Sequence, residues 1–283
     1  MRPAKPINFE IVKAAGTTAK FSIDKLRGSL KRCGADEKLI NQIINTVRDE
    51  LYQGISTKEI YNRAFAMLKK QQPIFASKYK LKKAIYELGP TGFPFERFIG
   101  ALLQYSGYEV AVGQFLQGKC VTHEVDVVAH KNGQYIVAEC KFHSEGDRNC
   151  NVKVPLYIYS RYNDIRNYYL NNIEENGIPN EGWVVTNTRF TKDAIAYGEC
   201  AGLYLLSWDH PKGNSLKERI DRLGLYPITV SSLLTKREKE FLLNRNIVLC
   251  SQLLQQKYYL DHLAISDRRK ERILNELQLL SNH

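Results

Sequence analysis

The apolar residues of the first third of the chain recur at the spacing of helices. After a short strand-like segment at Phe9–Lys13 and a turn through Gly16, this pattern predicts four helices. Their predicted bounds are Ile23–Cys33, Asp36–Leu51, Ser56–Lys70 and about Ile74–Glu87. In the third helix, Ser56 and Glu59 have the spacing of a capping box, in which each side chain satisfies a free backbone amide. We therefore predict a small β-turn followed by a helix cluster.

The middle of the chain alternates apolar and polar residues as strands do. An amphipathic helix over Phe95–Tyr105 precedes three predicted strands. These strands are Tyr108–Val112, Val121–Ala129 and Gln134–Phe142. Asn132-Gly133 separates the last two strands, and this dipeptide favours a tight hairpin turn.

The last part of the chain is again helical in pattern. The predicted helices are Thr235–Asn244, Leu249–Gln256 and Asp267–Leu280. The last helix begins with Arg268-Arg269-Lys270, which resembles a helix-hairpin-helix DNA-binding unit, although the hairpin glycines of that unit are missing. Dimerisation or packing is the alternative role for these helices.

Composition is that of an ordinary globular protein. Of the 283 residues, 43% are hydrophobic and 25% are charged, which excludes wholesale disorder. No apolar run suits a signal peptide or is long enough to cross a bilayer, so we expect a cytoplasmic protein without a membrane partner. The six cysteines are scattered without a CxxC pair, which predicts reduced thiols rather than disulfides or structural zinc.

The net charge of +11 suits a polyanionic partner, although lysine-rich solvated surfaces are the commoner cause, and it is concentrated in the first third of the chain. Residues 1–90 contain 18 basic and 8 acidic side chains, whereas residues 91–225 contain 14 and 16. The change coincides with Gly89-Pro90-Thr91-Gly92, which is typical of a domain boundary, and a softer break lies near Leu225. We therefore predict three domains, at residues 1–89, 90–225 and 226–283.

The predicted hairpin turn determines which residues of its two strands face each other. With Asn132-Gly133 as the turn, Asp126 lies opposite Glu139 and Glu124 opposite Lys141, all on one face. Opposed carboxylates destabilise a sheet unless a cation lies between them, and Mg²⁺ or Mn²⁺ prefers such oxygen ligands. Lys141 would then orient or help to deprotonate a water. This set suits phosphodiester hydrolysis, and the alternative is a salt-bridged polar face of an exposed hairpin.

Asp126 followed by Glu139-Cys140-Lys141 resembles the core of the PD-(D/E)xK nucleases, in the branch of the Mrr-like restriction endonucleases. The resemblance covers about residues 90–210. It includes Gly92-Phe93-Pro94-Phe95-Glu96 at the start of the helix and Trp183-Val184-Val185-Thr186 in a later strand.

This resemblance implies a Mg²⁺- or Mn²⁺-dependent endonuclease that acts on DNA in restriction or defence. By residue, Asp126 and Glu139 would bind the metal ion and Lys141 would be the catalytic lysine. Glu96 would be an auxiliary acid from the helix, with the polar side of that helix as the alternative. His123 falls on the core face of the predicted register, which favours a packed histidine over a catalytic base.

The stretch from Lys153 to Tyr169 interleaves tyrosines with Lys153, Arg161 and Arg166. Cations suit phosphates and aromatic rings suit unstacked bases, so we predict nucleic-acid contact here. The alternative is that these tyrosines pack on the sheet.

The run Ile11-Val12-Lys13-Ala14-Ala15-Gly16, followed by Phe21-Ser22-Ile23-Asp24-Lys25-Leu26, resembles the ATP-cone, a regulatory nucleotide-binding domain. The resemblance covers about residues 8–87 and implies ATP or dATP as a regulatory ligand. Ile11 and Val12 would border the adenine, and Lys13 and Lys25 would face the phosphates.

Two further residues of this run bear on nucleotide binding. Gly16 would let the backbone come close to the ligand. Ala14 stands where the family usually has arginine, which removes one phosphate contact. The alternative is that Lys13 and Lys25 are solvated lysines of a helical interaction domain.

We predict an α/β fold, α+β overall, with a helical cone domain, a restriction-endonuclease-like mixed sheet flanked by helices, and a small C-terminal helical domain. The preferred hypothesis is a homo-oligomeric, nucleotide-regulated endonuclease that cuts DNA. A nucleotide-sensing regulator that binds nucleic acid without cleavage is one alternative, and an RNA-directed nuclease is the other. The complete set of Asp126, Glu139 and Lys141 favours cleavage.

Overall fold

A computed structural model of the chain describes residues 9–13, 16–145, 148–172 and 177–281. Ala14, at the position where the cone family usually has arginine, lies outside the described residues. The chain divides into two compact units, one ending at Leu81 and the other beginning at Lys82. No helix among the described residues has the length and apolar character needed to span a membrane.

The first unit consists of a hairpin and a helix cluster. Its elements are β1 (Glu10–Val12), β2 (Thr18–Lys20), α1 (Ile23–Arg32), α2 (Glu37–Asp49), α3 (Thr57–Gln71) and α4 (Pro73–Tyr79). Ser22, Asp36 and Ser56 each accept the backbone N–H three residues on, so α1, α2 and α3 begin where their caps predict. The reciprocal half of the predicted capping box is not formed, because the Glu59 carboxylate accepts from Tyr52 and Arg63 instead. The apolar stripes of these helices meet in a core that includes Leu30, Ile43 and Leu68.

The prediction of one continuous helix over Ile74–Glu87 is wrong. Helix α4 ends at Tyr79, and a separate helix α5 (Leu81–Tyr86) follows it. The backbone carbonyl of Ala84, within α5, accepts a hydrogen bond of 2.7 Å from Thr229 Oγ1 near the C-terminus. Because α5 packs within the second unit, tertiary contacts override the continuous helical periodicity.

The centre of the second unit is a mixed sheet. Within the described residues its strands are β3 (Glu109–Gln117), β4 (Thr122–Lys131), β5 (Gln134–Lys141), β7 (Glu181–Thr186) and β9 (Tyr204–Leu206), in that spatial order. The first three strands pair antiparallel, and β5, β7 and β9 pair parallel. A small parallel pair, β6 (Asn149–Cys150) and β8 (Arg189–Phe190), lies outside this sheet.

Helices cover both faces of the sheet. The elements are α6 (Phe93–Tyr105), α7 (Lys153–Asn171), α8 (Lys192–Cys200) and α9 (Leu216–Leu223). Gly100 of α6 lies against Val112, whose strand partner is Val127. The next residue, Val128, packs in one cluster with α7 and α8. Because neighbouring strand residues point to opposite faces, α6 lies on one face and α7 on the other.

The hairpin of β4 and β5 has the predicted register. Lys131 pairs with Gln134 and Val127 pairs with Ala138 around the turn at Asn132-Gly133. Both turn residues have positive φ, 48° and 80°, as a type I′ turn requires. The ladder ends at Val127 and Ala138, so the predicted pairs Asp126–Glu139 and Glu124–Lys141 are not formed. Asp126 and Glu139 lie where the strands begin to diverge.

The C-terminal region is helical, as predicted. It contains α10 (Lys236–Leu243), α11 (Cys250–Gln255) and α12 (Asp267–Ser281), with 3₁₀ turns at Ile228–Val230 and Lys257–Leu260. Arg269, in the basic start of α12, forms two hydrogen bonds to the Glu238 carboxylate, of 2.6 and 2.7 Å. Lys270 is paired with Asp261. Two of the three basic residues expected to contact DNA are therefore engaged within the protein.

Candidate functional site

The diverging end of the hairpin brings Asp126 beside the Glu139-Cys140-Lys141 strand. Asp126 Oδ2 accepts the backbone N–H of Cys140 at 2.6 Å. On its other side, the pairing of β3 with β4 is interrupted at Asp126 and Gly113, and Gly113 has φ of 65°. This local break frees Asp126 from the regular ladder and lets its side chain bind across to β5.

Arg161 of α7 binds both strands of the hairpin. Its Nη1 donates to Glu139 Oε1 at 2.7 Å, and its Nη2 donates to the backbone carbonyl of Glu124. The guanidinium carbon also lies 5.6 Å from the centre of the Tyr157 ring. Sequence reasoning selected Arg161 for nucleic-acid contact but missed its ion pair with Glu139, because a separation of 22 residues carries no local signal.

Glu96 enters the same site from the first turn of α6. A Cβ at Gly92 would lie 2.8 Å from Glu96 Oε1, so glycine leaves room for this carboxylate at the start of the helix. Burial, together with the charges of Asp126, Glu124 and Glu139, raises the pKa of Glu96 to about 7. Glu96 is therefore close enough to the hairpin acids to interact with them.

The hairpin carboxylates Asp126 and Glu139 also have raised pKa values. Burial raises the pKa of Glu139 to about 7, with a second contribution from the charge of Asp126, while Arg161 lowers it. Burial also raises the pKa of Asp126, and the hydrogen bond from Cys140 and the charge of Arg161 oppose this shift. We call Glu96, Glu124, Asp126 and Glu139 the acid cluster.

Lys141 lies at the exposed end of β5, beside the acid cluster. Its positive charge lowers the pKa of both Asp126 and Glu139, which places the ammonium group near these carboxylates. Among the described residues it forms no ion pair of 4.0 Å or less. Lys141 also lines a polar cleft of about 350 Å³ together with Gly92, His143 and Arg148.

The acid cluster suits a hard cation in its chemistry but is not arranged as a closed metal site. In the described part of the chain, no group of three or more His, Cys, Asp and Glu side chains is placed to hold a metal ion. Glu139 is bound to Arg161 instead. Mg²⁺ usually takes one or two carboxylates and fills its other positions with water and phosphate oxygens, and Asp126 and Glu139 match this requirement in number and in donor type.

The remaining candidates of α7 divide between surface and core. Lys153 and Tyr157 are exposed and Arg166 is half-buried, whereas Tyr162 and Tyr169 are buried in the core with the sheet. His123 is largely buried, as expected, and its Nε2 lies 2.8 Å from Asp164 Oδ2 of α7. Some tyrosines of this helix therefore pack against the sheet, and Tyr157 is exposed to solvent.

The candidate nucleotide site of the first unit lies at its hairpin turn. Gly16 has φ of 76°, and its N–H donates to the carbonyl of Lys13 at 2.9 Å. Lys13 and Lys25 are both exposed, whereas Ile11 packs against the core of the unit. Val12 donates its N–H to the carbonyl of Ile55 at 3.0 Å. The two lysines are thus available to a ligand, and Ile11 is mostly engaged in packing.

Comparison with known proteins confirms the fold class. A solved structure titled "Crystal Structure of Protein of Unknown Function AF1548" is 26% identical, with a TM-score of 0.55 over 67% of this chain and 98% of that chain. A protein of Archaeoglobus fulgidus described as uncharacterized is 29% identical over 176 residues, which are 62% of this chain and 95% of the relative. Residues 226–281 match the family described as "AF1548-like, C-terminal". The chain is therefore a mixed α/β protein whose C-terminal helical region is similar to that family.

Proposed function

We propose that this protein is a Mg²⁺-dependent endonuclease that hydrolyses phosphodiester bonds of DNA and is regulated by ATP or dATP. The observation that carries the proposal is the contact of Asp126 with the backbone of Cys140. This contact places Asp126 beside the strand that contains Glu139 and Lys141. The charges of Asp126 and Glu139 both raise the pKa of Glu96.

Asp126 and Glu139 would hold Mg²⁺ or Mn²⁺ in this proposal. When bound, the ion supplies Lewis-acid activation of water and stabilises the charge that develops on the phosphate. Lys141 is exposed beside both carboxylates, so its ammonium group can bind a phosphate oxygen or orient the attacking water. Glu96, with a pKa of about 7, can gain or lose a proton near neutral pH, as general acid–base catalysis requires.

Regulation by nucleotide is supported by the exposure of Lys13 at the Gly16 turn and of Lys25 in the first turn of α1. Ammonium groups are point charges that suit phosphate oxygens. All six cysteines lie among the described residues and are free thiols, which fits the proposed cytoplasmic location. Homo-oligomerisation is part of the same proposal, with the C-terminal helices as one candidate contact.

The test is a cleavage assay with the full chain and Mg²⁺ on duplex DNA, single-stranded DNA and RNA. Wild type should cut DNA, and Asp126→Ala and Lys141→Ala should abolish cutting. Glu109→Gln removes an exposed acid at the first residue of β3, outside the acid cluster, and should leave the cleavage rate unchanged. Addition of ATP or dATP should change the cleavage rate or the oligomeric state.

Two outcomes would replace the proposal with its alternatives. If wild type and both active-site variants are equally inert on all three substrates, the site binds nucleic acid without cutting it. If only RNA is cut, and Asp126→Ala stops the cutting, the protein is an RNA-directed nuclease.

A further inference from the structure

The most exposed large hydrophobic side chains lie around the acid cluster. In the part of the chain that the structure describes, Phe115, Phe93 and Tyr157 are 72%, 62% and 61% exposed, more than any other large apolar side chain. We call these three residues the aromatic rim. Large exposed apolar groups gathered in one region of a soluble protein mark an interaction site.

Each ring of the aromatic rim is a neighbour of a different residue of the acid cluster, directly or through Arg161. Phe115 is the strand partner of Glu124, and cross-strand partners extend on the same side of a sheet. Phe93 lies one helical turn before Glu96 on α6, so the two side chains are neighbours on the helix surface. Tyr157 stacks with Arg161, which binds Glu139. Each ring therefore neighbours a residue of the acid cluster or, for Tyr157, the arginine that binds Glu139.

Cationic side chains are interspersed with the rings. On α7, Lys153, Tyr157 and Arg161 follow one another at four-residue intervals and so lie on one helix face. Lys141 contributes a further exposed ammonium group at the end of β5. Alternating rings and cations complement a strand whose bases and phosphates also alternate.

This pattern favours an unpaired strand over a duplex or a protein partner. In a duplex the base faces are stacked on each other, so exposed rings find no partner there without unstacking. A second protein chain would use the rings but has no need of the cations beside a cluster of acids. Single-stranded nucleic acid uses both, because rings stack on its bases and lysine and arginine bind its phosphates.

We propose that the aromatic rim stacks on unpaired bases and that the substrate of the site is single-stranded DNA, either free or as an opened segment of a duplex. The inference rests on the proposed nuclease function and names its substrate class. It assigns Phe93, Phe115 and Tyr157 as specificity-determining residues.

Binding of the full chain to fluorescent oligonucleotides tests this assignment. A 20-mer of single-stranded DNA and the matched duplex are titrated with Ca²⁺ in place of Mg²⁺, and intact substrate is verified after each titration. Phe93→Ala, Phe115→Ala and Tyr157→Ala should each weaken single-strand binding about 5- to 100-fold, because base–aromatic stacking has this magnitude. Tyr157→Phe keeps the ring and should bind as wild type does.

Two controls separate stacking from other effects. Tyr105→Ala removes a ring that is 42% exposed at the opposite end of α6, and it should leave binding unchanged. An abasic 20-mer keeps the phosphates but lacks the bases. It should bind wild type more weakly than the intact strand binds any single alanine variant, and those variants should not weaken its binding further.

Several results would overturn the inference. These are single-strand binding that is unaffected in all three alanine variants, equal binding of abasic and intact strands, and tighter binding of an RNA 20-mer than of DNA. Loss of a dimer in sedimentation with unchanged DNA binding would instead identify the rim as a contact between two copies of the chain.

Cleavage with Mg²⁺, measured in parallel, distinguishes this inference from the proposed function. If duplex DNA is cut and the rim variants cut it as well as wild type does, the nuclease function stands and the single-strand assignment fails. If the rim binds single strands but no DNA is cut, the binding assignment stands and the nuclease function fails.

Discussion

Glu139 is a partly buried carboxylate with one cationic partner and two acidic neighbours. Arg161 lowers its pKa, but burial and the charge of Asp126 dominate and raise that pKa to about 7. Glu96 reaches a similar pKa without an ion pair of its own among the described side chains. At neutral pH the metal-free acid cluster is therefore under electrostatic stress, which a bound cation would relieve.

The pKa of Glu96 predicts a pH-dependent effect on stability. Its pKa in the folded protein is about 7 and its ordinary value is 4.5, so the folded state binds more protons between these values. The raised pKa therefore lowers stability as pH increases through this window. Glu96→Gln should gain stability relative to wild type between pH 5 and pH 8, measured by thermal unfolding in EDTA. A stability difference between Glu96→Gln and wild type that stays constant with pH would contradict this prediction.

Removal of Arg161 should be costly at alkaline pH. Arg161→Gln leaves the Glu139 carboxylate without its 2.7 Å partner. We expect a loss of about 1.5–3 kcal/mol in the free energy of unfolding at pH 8, since hydrogen bonds to charged groups have this magnitude. The loss should shrink at pH 5, where Glu139 is protonated. Urea denaturation at both pH values measures it, with Arg166→Gln on the same helix as the control.

At the scale of elements, the β4–β5 hairpin was predictable because its signal is local. Asn132 and Gly133 tolerate positive φ, and the turn then sets the register of the strands that follow. The break at Asp126 was not predictable, because it depends on the pairing of β4 with β3 at Gly113. The end of α4 depends likewise on contacts that α5 makes about 145 residues away.

Close packing of α7 against the sheet depends on a glycine in β7. A Cβ at Gly182 would lie 2.8 Å from Leu203 Cδ2 and 2.9 Å from Tyr162 Cγ. Gly182→Ala should therefore lower the free energy of unfolding by about 1–3 kcal/mol, as overpacked cores do. Gly28→Ala, inside α1 with only Arg32 Nη1 nearby at 3.6 Å, should raise it by about 0.5–1 kcal/mol. Urea denaturation measures both changes in the free energy of unfolding. Changes of the same sign in the two variants would refute the packing argument.

At the scale of the whole molecule, charge and chemistry are separated along the chain. The excess of basic residues lies in residues 1–90, whereas residues 91–225, which contain the acid cluster, are slightly acidic. The net charge of +11 therefore does not identify the unit that contains the acid cluster as a region that binds DNA. Local groups that are not engaged in ion pairs with other described residues, such as the exposed Lys141 and Lys153, would have to provide that contact.

Nucleotide binding should stabilise the intact chain. ATP or dATP at about 100 times its dissociation constant should stabilise the folded state by about 2.7 kcal/mol. Lys13→Ala and Lys25→Ala should reduce the affinity, while Lys38→Ala, an exposed lysine on α2, should not. Calorimetric titration of the full chain measures the affinity. Wild-type binding that neither lysine variant weakens would contradict the assigned site.

Local sequence patterns were sufficient for most helices and for the hairpin with its register, which brings Asp126 to the Glu139-Cys140-Lys141 strand. These features depend on residues close together in the chain, where periodicity and turn chemistry act directly. The ion pair of Arg161 with Glu139, the entry of Glu96 and the gathering of three exposed rings became visible with the packed structure. They join residues of α6, β3, β5 and α7, and such long-range neighbours are set by how the helices pack on the two faces of the sheet.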